Sequence, residues 1–186
     1  MTSPSPTARR TRLRRRTVLA LAAATAAVLT LSACGTATTG STAKTDTVSG
    51  SSAAAKTDTV TLLDDTTLAV PGKKPAALFF FSVGCGECAG GAKSLDKAAK
   101  AFGDKATFLA VDMDPSESKT TIMQFLDYIK APGLATTVDK GAALSLRYQV
   151  SALSTLIVVD PQGKVTYRAT DPSADQIQAA LKKAGA

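Results

Sequence analysis

The chain has 186 residues, 45% of them apolar, with 22 basic and 15 acidic side chains, no histidine and a formal charge of +7. Six of the basic residues lie between Arg9 and Arg16, and from residue 34 onward 16 basic groups face 15 acidic ones. A positive charge confined to a leader does not build the basic face that nucleic acids require, so no nucleic-acid partner is expected, and the apolar content supports one domain of common size.

The arginine-rich start runs into an uncharged apolar segment of fourteen residues, "VLALAAATAAVLTL" (18–31). A helix of that length spans about 21 Å against the ~30 Å of a bilayer core, which favours a secretory signal over a permanent membrane span. Leu31-Ser32-Ala33-Cys34 follows and resembles the lipobox of bacterial lipoproteins. The resemblance implies a signal peptide over 1–33, lipidation of Cys34, and a location on the outer face of the cytoplasmic membrane. Arg15-Arg16-Thr17 also resembles part of a twin-arginine export signal.

Residues 34–58 are dominated by Gly, Ser, Thr and Ala, with Val48 as the one branched aliphatic side chain. Such a segment buries too little apolar surface to offset its chain entropy, and it reads as a flexible tether. At roughly 5–6 Å times the square root of its length, it would hold the following domain about 25–30 Å from its anchor.

A globular pattern begins near Thr59. "TVTLL" and "TLAV" are short strand candidates, and "AALFFFS" (76–82) has the unbroken apolar character of a strand buried on both faces. Ala92, Leu95, Ala98, Ala99 and Phe102 recur at helical spacing up to Gly103, followed by the strand candidate "ATFLAVDM" (106–113). Asp114, Pro115 and Glu117 carry the features of a helix start, with Asp114 as cap and Glu117 in a capping box. Ile122, Phe125, Leu126 and Ile129 form that helix's apolar face before "APG" ends it. "GAALSLRYQ" suggests a short helix, "STLIVVD" and "KVTYRAT" flank a "PQG" turn, and Asp171-Pro172 opens a last helix. Alternating strands and helices that end in a hairpin and a helix argue for an α/β sandwich with a mixed central sheet over 59–186.

The chemistry sits in "FFFSVGCGECAGG" (79–91), where Cys85 and Cys88 directly follow the buried strand. Three readings suit a C-x-x-C pair. A closed zinc site needs four ligands, which this chain, lacking histidine and with Cys34 committed elsewhere, does not offer; a soft ion such as Cu(I) or Hg(II) held by two thiolates remains open. A structural staple closing so short a loop stabilises by only about 2 kcal/mol. A redox dithiol takes advantage of the strand-to-helix junction, where free N–H groups favour a thiolate at Cys85 and leave Cys88 one turn behind to resolve a mixed disulfide.

"FFFSVGCGEC", the helix behind it, "FLAVDMD" and "RYQVSALSTLIVVDPQGKVTYR" together resemble the thioredoxin fold, and most closely the membrane-anchored TlpA-type thiol–disulfide oxidoreductases, over about residues 60–185. The resemblance implies Cys85 as nucleophile, Cys88 as resolving thiol, a redox-active Cys85–Cys88 disulfide, and no cofactor. It also implies protein disulfides as substrates, a membrane dithiol as electron donor, and a substrate groove bordered by Gly86, Ser154 and Thr155.

Three departures from that family stand out. Ser154 occupies the place of the cis-proline before the equivalent of Thr155, and the cost of a cis peptide before a non-proline residue, about 2.5–4 kcal/mol, predicts a trans Leu153–Ser154 bond. Ser82, Val83 and Gly84 replace aromatic residues before the motif, and Ala89, Gly90 and Gly91 leave no acid just beyond Cys88. Glu87, between the cysteines, reads either as a solvated charge or as a tuning group; in the second role it disfavours the Cys85 thiolate by roughly 1 kcal/mol and makes the couple more reducing.

Overall fold

The structure is a computed structural model that describes residues 57–186; the expected signal peptide, Cys34 and the tether up to residue 56 lie outside the described residues. The first element is a hairpin of β1 (Asp58–Thr61) and β2 (Thr67–Val70), antiparallel, beginning one residue ahead of the expected domain start. The central strand, β3 (Ala76–Phe81), is buried at all six positions, as its unbroken apolar run requires. Then follow α1 (Cys88–Phe102), β4 (Thr107–Asp112), α2 (Lys119–Tyr128), β5 (Thr136–Val138), α3 (Ala143–Arg147), β6 (Thr155–Val159), β7 (Val165–Thr170) and α4 (Ala174–Lys183).

The five longer-range strands form one sheet in the order β5-β4-β3-β6-β7. β3 runs parallel to β4 and antiparallel to β6, so the sheet is mixed as expected. Strand alternation divides the core in two. Ala77, Phe79 and Phe81 face a layer with Cys88, Leu95, Ile122, Phe125, Ile177 and Leu181, drawn from α1, α2 and α4. Leu78 and Phe80 face the opposite layer, with Leu109, Leu144, Tyr148 and Ile157. Phe81 stacks on Phe125 with ring centroids 5.3 Å apart, tying the end of β3 to α2.

Three helix starts differ from the sequence expectation. α2 begins at Lys119, with Ser118 as its cap accepting from the Thr121 N–H, rather than at Asp114. Asp114 instead closes a local turn by accepting from the N–H and hydroxyl of Ser116, and Glu117 points elsewhere, as described below. α4 is capped by Ser173 in a reciprocal box with Gln176, three residues on, while Asp171 lies outside the helix at φ 47°. α1 begins at Cys88, so Cys85 occupies the turn ahead of the helix instead of its first position. With Gly84 and Gly86 on either side of it, the segment around Cys85 carries two poor helix formers. Strand β5, three residues long, carried no distinct signal in the sequence.

The candidate dithiol site

Phe81 ends β3, and the chain turns at once. The Cys85 N–H donates to the Ser82 carbonyl at 3.1 Å, and the Cys88 N–H donates to the Cys85 carbonyl at the same distance. Two consecutive turns thus carry the cysteines from the strand to the first residue of α1. Their Cα atoms are 5.4 Å apart and the sulfurs are joined in a disulfide. Cys88 is completely buried in the layer beneath α1, while Cys85 is half-buried at the surface of the loop. The two sulfurs therefore differ in access, as an attacking and a resolving thiol must.

Ser154 and Thr155 lie at this same end of the sheet, because Thr155 pairs in register with Phe80 of β3. The Leu153–Ser154 peptide is trans, since the cis bond among the described residues is Val70–Pro71. Ser154 takes up the turn in another way, with φ at 56°, in the left-handed region. Its carbonyl accepts from the Asp171 N–H at 2.9 Å, while its buried hydroxyl has no hydrogen-bond partner. The Thr155 hydroxyl donates to the Ala152 carbonyl at 2.7 Å, which closes the loop ahead of β6.

Glu87 is exposed at the cap position of α1 and makes no side-chain cap bond. Gly86 and Gly90 face open space, where an added Cβ would meet nothing within 4 Å. Gly91 is different: a Cβ at this position would stand 2.3 Å from the Phe79 ring. The ring takes the place of any side chain three residues beyond Cys88, which gives the absence of an acid there a steric reason.

Two acidic residues lie against the strand end and the loop that lead into the cysteines. Asp112, the last residue of β4, pairs with Phe81 and is fully buried. Burial pushes its carboxyl up to about 7, the charges of Glu117 and Asp114 act in the same direction, and a bond from the Asp114 N–H opposes them. Glu117 reaches across to the loop before the cysteines, accepting from the Ser82 hydroxyl at 2.8 Å and from the Val83 N–H at 2.9 Å. One signal was available: Asp112 falls at the inward parity of Phe108 and Ala110, where a carboxylate is out of place in a buried strand. Among the described residues, no group of three or more Cys, Asp and Glu side chains is arranged to hold a metal ion.

The Thioredoxin-like family model matches residues 72–165. A protein of Streptomyces lividans named "Mercury resistance operon ORF3" is 82% identical over 189 aligned positions, which cover the whole of both chains. Among solved structures, the pneumococcal exposed lipoprotein thioredoxin Etrx1 of Streptococcus pneumoniae superposes with a TM-score of 0.60 at 22% identity, over 69% of this chain and 99% of that one. StoA of Bacillus subtilis gives 0.60 at 15% identity, over 68% and 96% of the two chains. A secreted disulfide oxidoreductase of Mycobacterium tuberculosis gives 0.57 at 20% identity, over 68% and 95%. With the family match spanning half the chain, and with a mixed sheet that delivers a C-x-x-C disulfide to the start of α1, the chain belongs to the thioredoxin-like family.

Proposed function

We propose that this protein is a thiol–disulfide oxidoreductase, working as a reductase or electron relay on the outer face of the cytoplasmic membrane and held there by a lipid on Cys34. The observation that carries the redox part is the unequal burial of the two bonded sulfurs, Cys85 half-exposed and Cys88 enclosed. In the reduced protein, the Cys85 thiolate attacks one sulfur of a target disulfide, forming a mixed disulfide and expelling the other target sulfur as a thiolate. The Cys88 thiolate then attacks Cys85, closing the internal disulfide and releasing the second target thiolate. Two electrons pass to the target, whose two thiolates take up the protons that Cys85 and Cys88 gave up. A membrane dithiol of the class the family resemblance implies would reopen the internal disulfide by the same exchange in reverse. The anchoring rests on the leader, its apolar segment and the Leu31–Cys34 motif.

The test is thiol trapping and intact mass of the full chain, equilibrated across dithiothreitol and glutathione buffers. A reversible two-electron couple on the reducing side supports the reading. A disulfide that resists reduction in the native protein would leave the pair as a staple and overturn it.

A second reading is favoured by the name of the Streptomyces lividans relative. In it the reduced Cys85–Cys88 pair takes Hg(II) as cargo, because two adjacent thiolates suit a soft ion. The two readings differ in stoichiometry: a carrier retains one mercuric ion per reduced chain and loses it when either cysteine is replaced by serine, whereas an oxidoreductase turns over a disulfide substrate many times per chain.

A further inference from the structure

The hairpin at the start of the domain leaves one edge of β1 open. The Leu62 N–H donates to the Thr66 carbonyl at 2.8 Å, so Leu62, and with it Val60 and Asp58 at every second position, turns its backbone groups toward β2. Thr59, Thr61 and Leu63 turn theirs the other way. Two contacts with β5 fix this parity: the Leu63 N–H donates to the Thr136 carbonyl at 2.9 Å, and the Thr61 carbonyl accepts from the Thr137 hydroxyl at 2.6 Å. On β5, the Ala135 carbonyl accepts from the Ala110 N–H at 2.9 Å and the Asp139 N–H donates to the Asp112 carbonyl at 2.8 Å. Thr136 and Val138 therefore face outward, toward β1. The two edges meet at Leu63 and Thr136 and part from there. Among the described residues, the N–H and C=O of Thr59 and of Val138 and the N–H of Thr61 have no partner across the gap.

The gap is a cleft of about 720 Å³ with β1 on one side and the residues from Thr137 to Lys140 on the other. Val60, Leu62 and Leu144 give it an apolar lining continuous with the layer that holds Leu78 and Phe80. Asp58, Asp65, Glu117 and Asp139 outnumber Lys119 and Lys140 on its walls; with Arg147, which pairs with Asp58, counted in, one negative charge remains. The cleft opens beside the dithiol. Val138 pairs with Asp112, and Asp112 with Phe81, the residue that leads into the cysteine loop, so two strand spacings, about 10 Å, separate the cleft from that loop. Glu117 joins them, lining the cleft while it holds the Ser82 hydroxyl and the Val83 N–H. The free edge of β7, by contrast, is interrupted by a register shift opposite Val158 and Val159, an irregularity that discourages strand addition.

We propose that this cleft is a docking site for the target of the Cys85–Cys88 pair: an extended, neutral or basic segment of the disulfide-bearing protein that seats as a strand between β1 and β5. Its backbone groups meet Thr59 and Thr61 on one side and Val138 on the other, and an inward side chain packs on Val60, Leu62 and Leu144. The target cysteine then lies about three residues from the seated strand, the number that spans about 10 Å at 3.3–3.6 Å each. On the other flank of the dithiol, the Ser154 carbonyl is already taken by the Asp171 N–H and is not free to meet a strand. The inference rests on the oxidoreductase reading and adds to it where the target's backbone is held.

The experiment uses the full chain in its reduced form and follows the closing of the Cys85–Cys88 bond by intact mass. The probe is a synthetic peptide whose cysteine, capped as a disulfide by free cysteine, stands a few Gly/Ser residues ahead of an alternating Thr/Val/Lys strand. Each exchange reduces the peptide disulfide to two thiols and closes the Cys85–Cys88 bond. Glutathione disulfide, too short to reach the cleft, is the reference. Backbone N-methylation at alternate strand residues removes donors and keeps the side chains. Below saturation the unmethylated peptide is expected to react roughly tenfold or more faster than the methylated one, because two or three backbone bonds are lost. Thr59→Pro deletes an N–H that β2 does not use, and it should lower the ratio of peptide to glutathione rates by most of the same factor. Equal rates for the two peptides, with glutathione disulfide still closing the bond, overturn the docking site and leave the oxidoreductase intact. A pair that neither disulfide oxidises overturns both readings. If Thr59→Pro does not fold, amide exchange at Thr59 and Val138 in the parent decides: a peptide with serine in place of its cysteine should slow it severalfold. Amides already protected in the free chain would show the cleft filled by the chain itself or by a second copy, which overturns the proposal as well.

Discussion

Gly91 lies so close to Phe79 that a Cβ on the glycine would come within 2.3 and 2.5 Å of two ring carbons. The ring is fully buried in β3, and the first turn of α1 rests directly on the central strand. Gly91→Ala, which on an exposed helix would stabilise, is expected here to destabilise the fold by about 1–3 kcal/mol through overpacking. A urea titration followed by circular dichroism checks the sign; a variant as stable as the parent would show that the helix can lift away from Phe79 at little cost.

The buried carboxyl of Asp112 gives stability a pH dependence of definite sign. Its folded pKa is raised, by burial first, from 3.8 to about 7, so the folded state binds more protons than the unfolded one between these values. Stability therefore falls as pH rises from about 4 to about 7 and levels off above. The full shift corresponds to a ceiling of about 4 kcal/mol, reduced by solvent at the half-exposed Glu117. Asp112→Asn should lack this descent and gain on the parent protein as pH rises to 8. Parallel urea midpoints for the two proteins from pH 4 to 8 would contradict the assignment of the shift to Asp112.

These residues also mark where sequence reasoning reached and where it stopped. The six buried positions of β3, the apolar faces of α1, α2 and α4, and the mixed sheet follow from periodicity and from turn chemistry close in sequence. The local sequence places Glu117 in a capping box, whereas its actual partners, Ser82 and Val83, lie 35 and 34 positions away and are brought near by the parallel pairing of β3 with β4. The three-residue β5 is specified by its neighbours: Thr136 and Thr137 are held by the Leu63 N–H and the Thr61 carbonyl rather than by any run of their own. The cysteine pair was legible because strand, turn and helix are contiguous; Asp112 shows along the chain only as a carboxylate at an inward position of β4, because its pairing with Phe81 at the end of β3 cannot be read there.

Ser154 offers a test of how the loop before β6 replaces a proline. At φ 56° a non-glycine residue is strained by about 1–2 kcal/mol, and the buried hydroxyl without a partner adds to the cost. Ser154→Gly is expected to hold or raise stability by up to about 1 kcal/mol, part of the gain being offset by glycine's larger chain entropy. Ser154→Pro should destabilise by about 3 kcal/mol or more, since proline fixes φ near −65°. Thermal unfolding of the two variants decides it: a proline variant as stable as the parent would mean that this loop adopts a second backbone path.

Glu87 is exposed between the two cysteines and makes no cap bond, so its influence on them is through space. A carboxylate there disfavours the Cys85 thiolate, which lowers the stability of the dithiol relative to the disulfide and makes the couple more reducing. Glu87→Gln should therefore raise the reduction potential, by roughly 20 mV for an interaction of about 1 kcal/mol. Because the charge faces solvent, the difference between variant and parent should shrink as ionic strength rises and the screening length falls below the separation of the groups. Equilibration with glutathione buffers at low and high salt measures both effects. A potential that falls or stays put on substitution would assign Glu87 to solvation of the helix start.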